Sequence, residues 1–160
     1  MNRLALATLV LCLLPGAFAS DDPSDRRTLR GITTIIVVIE ELEPAAIADG
    51  LTVSQLRTDV ELRLRMAGLK VLDSYAPGTP YLHVVPALLK APDQYAYSCK
   101  LEFLQTVTVE SNREVLITDT WSAGKFGLIG PPSNMVSKIR STFADLVDKF
   151  INAYLSVNPK

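Results

Sequence analysis

The sequence predicts one α+β domain in the order β-α-β-β-β-β-α, a mixed sheet with two helices packed on one face. Three stretches predict it. Ile32 to Ile39, ITTIIVVI, is dense in branched apolar residues, which marks a strand covered on both faces and therefore inside a sheet. Leu51 to Leu72 reads as one capped helix that turns through Gly68 into a strand. Tyr95 to Glu110 alternates apolar and polar residues, as a strand with one face on a core and one in water does.

Ahead of the domain, Arg3 precedes an apolar run from Leu4 to Leu14, a Pro15-Gly16 break and the triplet Ala17-Phe18-Ala19. That is the build of a secretory signal peptide over residues 1–19, cleaved after Ala19. The apolar run is short for a hydrocarbon core of about 30 Å, so no transmembrane segment is expected in the mature chain. Cys12 follows Leu9-Val10-Leu11, with no small residue before it, and does not read as a lipidation site. Residues 20–30, SDDPSDRRTLR, are polar and read as a flexible leader. Arg26, Arg27 and Arg30 there form a solvated basic flank. The domain proper spans residues 31–160.

Within the domain, Thr52 and Gln55 have capping-box spacing, with Leu51 and Leu56 as a hydrophobic staple. Val53, Leu56, Val60, Leu64 and Ala67 recur at helical spacing. Gly68 is placed to end the helix in a left-handed cap, with Leu69 folding back on Leu64. Strand, helix and strand make a βαβ candidate, with Ile32–Ile39 and Leu69–Leu72 parallel. Tyr81 to Val85 reads as a short strand stopped by Pro86 at an edge or bulge. After Tyr95–Glu110, Ser111-Asn112-Arg113 reverses the chain and Glu114 to Ser122 returns as a hairpin. Ala123 to Pro132, AGKFGLIGPP, reads as a glycine-rich loop. Ser133 is placed to cap a closing helix whose stripe is Val136, Ile139, Phe143, Leu146, Phe150 and Tyr154, ended by Asn158-Pro159.

Composition narrows function. The 160 residues carry 16 basic and 17 acidic side chains, for a formal net charge of −1. Nucleic acid is excluded, because it calls for a clustered basic face. Of the two cysteines, only Cys99 lies outside the signal, so an internal disulfide is ruled out and the fold rests on its core.

No catalytic set stands out. His83, the single histidine, shares strand parity with Tyr81 and Val85 and reads as structural. Cys99 lies between Tyr97 and Leu101 on the apolar face and reads as an inert buried thiol. Glu40, Glu41, Glu43 and Asp49 cluster at a strand exit, where paired carboxylates would serve glycosidase or metal chemistry; a solvated exit is the default. The glycines of Gly124 to Gly130 lack the spacing of a phosphate loop. Trp121, Lys125, Phe126, Leu128 and Ile129 put apolar bulk near that loop. They are the candidate partner-binding residues if exposed, and core if folded under the closing helix. No metal site or cofactor is expected.

The ending FADLVDKFINAYLSVNPK, together with TDVELRLRMAGLKV, resembles a group of small exported bacterial proteins of unknown function. The element order is similar to envelope accessory domains: the lipopolysaccharide-assembly outer-membrane lipoprotein and the auxiliary lipoproteins of lipid transporters. The resemblance implies an envelope location and no activity, and cleavage of the signal near Ala19 would leave the chain periplasmic or secreted. The expected function is a non-enzymatic exported module that binds a protein or lipid partner of the bacterial envelope. The alternative is a carrier of a small apolar ligand between helices and sheet, lined by Tyr97, Phe103 and Phe143. More remote is a hydrolase that sets His83 beside Cys99 or a carboxylate.

Overall fold

In the computed structural model, which describes residues 16–74 and 76–159, the chain runs β1 (Gly16–Ser20), α1 (Pro23–Arg27), β2 (Thr34–Ile39), α2 (Pro44–Ala48), α3 (Val53–Met66), β3 (Lys70–Leu72), β4 (Tyr81–Lys90), β5 (Tyr95–Thr108), β6 (Val115–Ile129) and α4 (Met135–Val157). The fold is α+β, as the patterning predicts. The strands form one sheet in the order β1-β6-β5-β4-β2-β3. Strand β2 runs parallel to both β3 and β4, which confirms the βαβ unit. The β4-β5, β5-β6 and β1-β6 pairs are antiparallel.

Local chemistry explains α3. The Thr52 hydroxyl accepts from the Gln55 amide at 3.2 Å, and the Thr52 amide donates to the Gln55 side chain at 3.0 Å, closing the capping box. Leu56, Val60 and Leu64 are buried along one stripe. Gly68 takes φ +97°, and the Gly68 and Leu69 amides donate to the Arg65 and Leu64 carbonyls at 3.0 and 3.1 Å. These two bonds are a Schellman ending, which needs a left-handed residue at the turn. Helix α4 buries Ile139, Phe143, Leu146, Phe150 and Tyr154. It packs against α3 and on β5 and β6.

Several expectations are corrected. Pro86 does not stop β4, which continues to Lys90. The Val84 carbonyl accepts from the Glu40 amide, and main-chain groups two residues apart point to the same side, so the proline nitrogen faces the edge beyond the end of β2. A proline is tolerated there. The glycine-rich stretch is not a loop: β6 continues through Gly124 and Gly127 to Ile129, paired with β5 down to Tyr95. Ser133 lies in a short 3-10 turn, Pro132–Asn134, and α4 starts without a side-chain cap.

Residues 20–30 hold structure where a flexible leader was expected. Asp22 caps α1 through the Ser24 and Asp25 amides at 2.7 and 3.0 Å, and Pro23 sits at the first turn, where its missing amide costs nothing. Leu29 is fully buried. Asn158 ties this segment to the end of α4: its side chain donates to the Leu29 carbonyl at 2.9 Å and accepts from the Gly31 amide at 2.7 Å. The signal-like segment through Pro15, Cys12 included, lies outside the described residues. Its end, with the expected cleavage point, pairs with β6 from Gly16↔Phe126 to Ser20↔Ser122.

Candidate functional site

Side chains two apart on a strand share a face. One face of the sheet meets the helices and is packed: Leu82, Val84 and Leu88 of β4, Tyr97, Cys99, Leu101 and Phe103 of β5, and Trp121, Ala123 and Ile129 of β6 are all buried. The other face stays open to water. Leu89 is 72% exposed there, and Phe126 and Leu128 are each 47% exposed.

Register makes these three residues one patch. Leu89 lies opposite Ala96, which lies opposite Leu128; one step along, Ala87 lies opposite Ser98, which lies opposite Phe126. Two cross-strand rows thus present leucine, phenylalanine and alanine side by side. They border a shallow depression of about 460 Å³ lined by Glu43, Ala87, Leu89, Ala96 and Ser98 among others. An exposed apolar cluster rimmed by polar groups is the surface form of a binding site.

Beyond the patch the same face turns polar. His83 lies opposite Glu102, and its ring nitrogens sit 3.2 Å from Glu102 Oε2 and 2.8 Å from Glu40 Oε2. Lys100 holds the other Glu102 oxygen. Burial pulls the Glu102 carboxyl up, but Lys100 and His83 outweigh it and hold the group below the ordinary carboxylate range. The sequence put Glu40 near other acids; the fold instead joins it to a histidine. Asp49 goes elsewhere, to Lys90 Nζ at 2.9 Å and the Tyr95 hydroxyl at 2.7 Å. Lys90, then Tyr95, keep its carboxyl low. Glu40 and Asp49 therefore have separate partners and are not a facing carboxylate pair.

The predicted binding residues divide. Trp121 is 1% exposed and Ile129 4%; both are core, which corrects their place in an apolar loop. The Trp121 indole donates to Asp21 at 2.9 Å and stacks edge-on against Phe150 at 5.2 Å. Lys125 reaches across the helix-side face to Asp145 at 2.7 Å. Only Phe126 and Leu128 lie on the open face. Leu89 joins the patch only because β4 runs past Pro86 to Lys90, which the local sequence does not show.

Of the two arrangements a hydrolase would need, His83 beside a carboxylate is present, with Glu40 and Glu102 on its ring nitrogens, while His83 beside Cys99 is not; the carrier reading meets a packed core. Cys99 points to the helix side and His83 to the open side, so they do not pair. Burial pushes the Cys99 thiol up to about 12, against a small opposing pull from Lys138. Ser122 shares the open face but lies beyond Glu102 in the row, two strand spacings from His83, or roughly 10 Å. Tyr97, Phe103 and Phe143 are buried within the core, and Phe103 packs on Phe150 at 5.5 Å. Among the described residues no group of three or more potential ligands could hold a metal ion.

A second surface depression, of about 770 Å³, lies between α3 and α4. Arg140 bridges to Asp59 by two bonds of 2.7 and 2.9 Å, and Arg63 bridges to Asp148 at 2.8 Å. These pairs satisfy its polar lining and clamp the helices together. Among the described residues no helix is long and apolar enough to cross a membrane.

No family model and no curated protein matches the chain. Among solved structures it is similar to the PelC dodecamer from Paraburkholderia phytofirmans, at 15% identity and a TM-score of 0.48, over 85% of this chain and 96% of that one. A variant of the same protein gives 16% identity and a TM-score of 0.47. A minor lipoprotein from Acinetobacter baumannii is similar at 10% identity and a TM-score of 0.40, over 81% of this chain and 95% of that one. Likeness at this level carries no functional argument.

Proposed function

We propose that the protein is a non-enzymatic exported accessory module of the bacterial cell envelope, and that its open sheet face docks a protein partner. The observation that carries this reading is the pair of rows Leu89–Ala96–Leu128 and Ala87–Ser98–Phe126, exposed across three strands. Export rests on the signal-like residues 1–19. Charge argues for the class of partner. Glu43 lines the depression at the patch, with exposed Glu40 and Glu41 close to it in the chain, and an acidic rim repels anionic lipid while favouring an apolar anchor flanked by basic side chains.

The test is a crosslinking pull-down from intact cells with the chain tagged at its C-terminus, comparing wild type with Phe126→Asp/Leu128→Asp. Both positions are half exposed, so circular dichroism should show an unchanged fold. The proposal expects a protein recovered with wild type and lost with the variant. Recovery of the same protein by the variant overturns it. So does flotation of the wild type with anionic phospholipid vesicles and no captured protein.

A further inference from the structure

Strand β1 sits at the edge of the sheet and consists almost wholly of residues that signal cleavage removes. Gly16, Ala17, Phe18 and Ala19 pair with Phe126, Lys125, Gly124 and Ala123, while Ser20 pairs with Ser122. Hydrolysis of the Ala19–Ser20 bond leaves Ser20 against Ser122 and takes away the rest. The outer edge of β6 is then bare from Ala123 to Ile129. A bare edge is a row of unpaired main-chain donors and acceptors that templates another strand. That this edge accepts an antiparallel strand is shown by β1 itself.

We infer that cleavage of residues 1–19 opens the β6 edge for a second copy of this chain, which pairs antiparallel with it about a two-fold axis at Phe126. The inference rests on the export reading above and deepens it. The axis follows from the extent of the edge, since Phe126 is the midpoint of Ala123–Ile129. Side-chain volumes agree with that register. Leu128 falls opposite Gly124 of the second copy, Lys125 opposite Gly127, and Ile129 opposite Ala123, so each large side chain meets a small one. No lysine faces a lysine. The two Phe126 rings meet at the axis, and aromatic cross-strand pairs stabilise antiparallel strands. Shifting the axis by one residue, to Lys125, would set two like charges opposite each other.

A two-fold axis normal to the sheet keeps both helical layers on one side and both open faces on the other. The patches of the two copies then join into one surface along β6. Isologous pairing closes on itself, so the assembly stops at a dimer. The pre-sequence strand keeps the edge filled until processing, when the chain is at its destination. That also protects the unprocessed chain from edge-to-edge association.

The experiment takes protein exported from its full gene, reads its N-terminus by intact mass, and measures its state by sedimentation velocity. The inference expects an N-terminus at Ser20 and a dimer. Phe126→Lys, which sets like charges on the axis, should give a monomer with an unchanged far-ultraviolet spectrum. Leu89→Asp lies on β4, two strands in from the free β6 edge; it should leave the dimer intact while lowering partner capture, which separates this inference from the docking reading. A monomeric protein at tens of micromolar overturns it, as does a dimer that Phe126→Lys leaves unchanged. Retention of Gly16–Ala19 in the exported protein removes its premise and overturns it too.

Discussion

Trp121→Ala separates the core role of this residue from the binding role its sequence context suggests. The side chain is 1% exposed, stacks edge-on against Phe150 at 5.2 Å and donates its indole N–H to Asp21 at 2.9 Å. Truncating a buried aromatic to alanine costs about 3–5 kcal/mol. The edge-to-face pair, at about 0.5–1.5 kcal/mol, and the lost bond to a charged acceptor place the cost toward the upper end. Asp21 keeps Arg26 at 2.9 and 3.0 Å, so it is not stranded. For a domain of this size the loss corresponds to a fall in Tm of roughly 10–20 °C. Thermal and urea unfolding followed by circular dichroism measure it. Leu62→Ala, 55% exposed on α3, should change stability by about 0.5 kcal/mol or less in the same assay. A Trp121→Ala protein within about 1 kcal/mol of wild type would refute the burial of this side chain, and with it the assignment of the helix-side face.

Thr52→Ala should remove the α3 cap and cost about 1 kcal/mol in urea unfolding, with Thr52→Asp close to wild type. Asp21, Asp49, Asp59 and Glu102 all have carboxyl pKa values lowered in the fold. The unfolded chain therefore takes up protons first, and the stability these groups give is present above the ordinary carboxylate range and lost as pH falls through and below it. The urea midpoint should drop between pH 7 and pH 3, and Asp59→Asn, which unpairs Arg140, should shrink that drop. Cys99, buried and pushed up to about 12, should resist a disulfide-exchange reagent at pH 8 in native protein and react within minutes in urea; rapid native labelling would place it at the surface.

Elements built on local signals were legible in the sequence. The Thr52–Gln55 box, the Gly68 ending and the α4 stripe need only residues within a few positions of one another; the structure makes the bonds of the box and the ending and buries the stripe from Ile139 to Tyr154, with Val136 partly buried. Elements decided by pairing were not. Gly124 and Gly127 lower local strand preference, yet the ladder to Lys100 and Tyr97 carries β6 through them. Pro86 ends a strand by its own chemistry, but here its nitrogen faces a side where no partner runs. The leader held a readable signal, Asp22 followed by Pro23, that its polar composition masked.

The candidate site shows the same division. Phe126 and Leu128 stand out in the sequence as apolar residues of a glycine-rich stretch that reads as a loop. Their neighbour Leu89 belongs to the patch only through the register of β4 on β5, which joins residues far apart in the chain. The His83–Glu102 contact also depends on that register, and the Glu40 contact on the parallel pairing of β2 with β4. No spacing rule within one segment reveals either. Trp121 reads as part of an apolar loop because the local pattern ends its strand at Ser122, whereas β6 continues to Ile129.

The most direct test of the docking face is site-specific photocrosslinking in intact cells, with a photoreactive residue replacing Leu89, the most exposed residue of the patch, and, as control, Leu62 on α3. The two positions are 72% and 55% exposed, so exposure alone does not favour one heavily. The account predicts a discrete adduct to one envelope protein from position 89 and none from position 62. No adduct from position 89, or the same adducts from both, would contradict it.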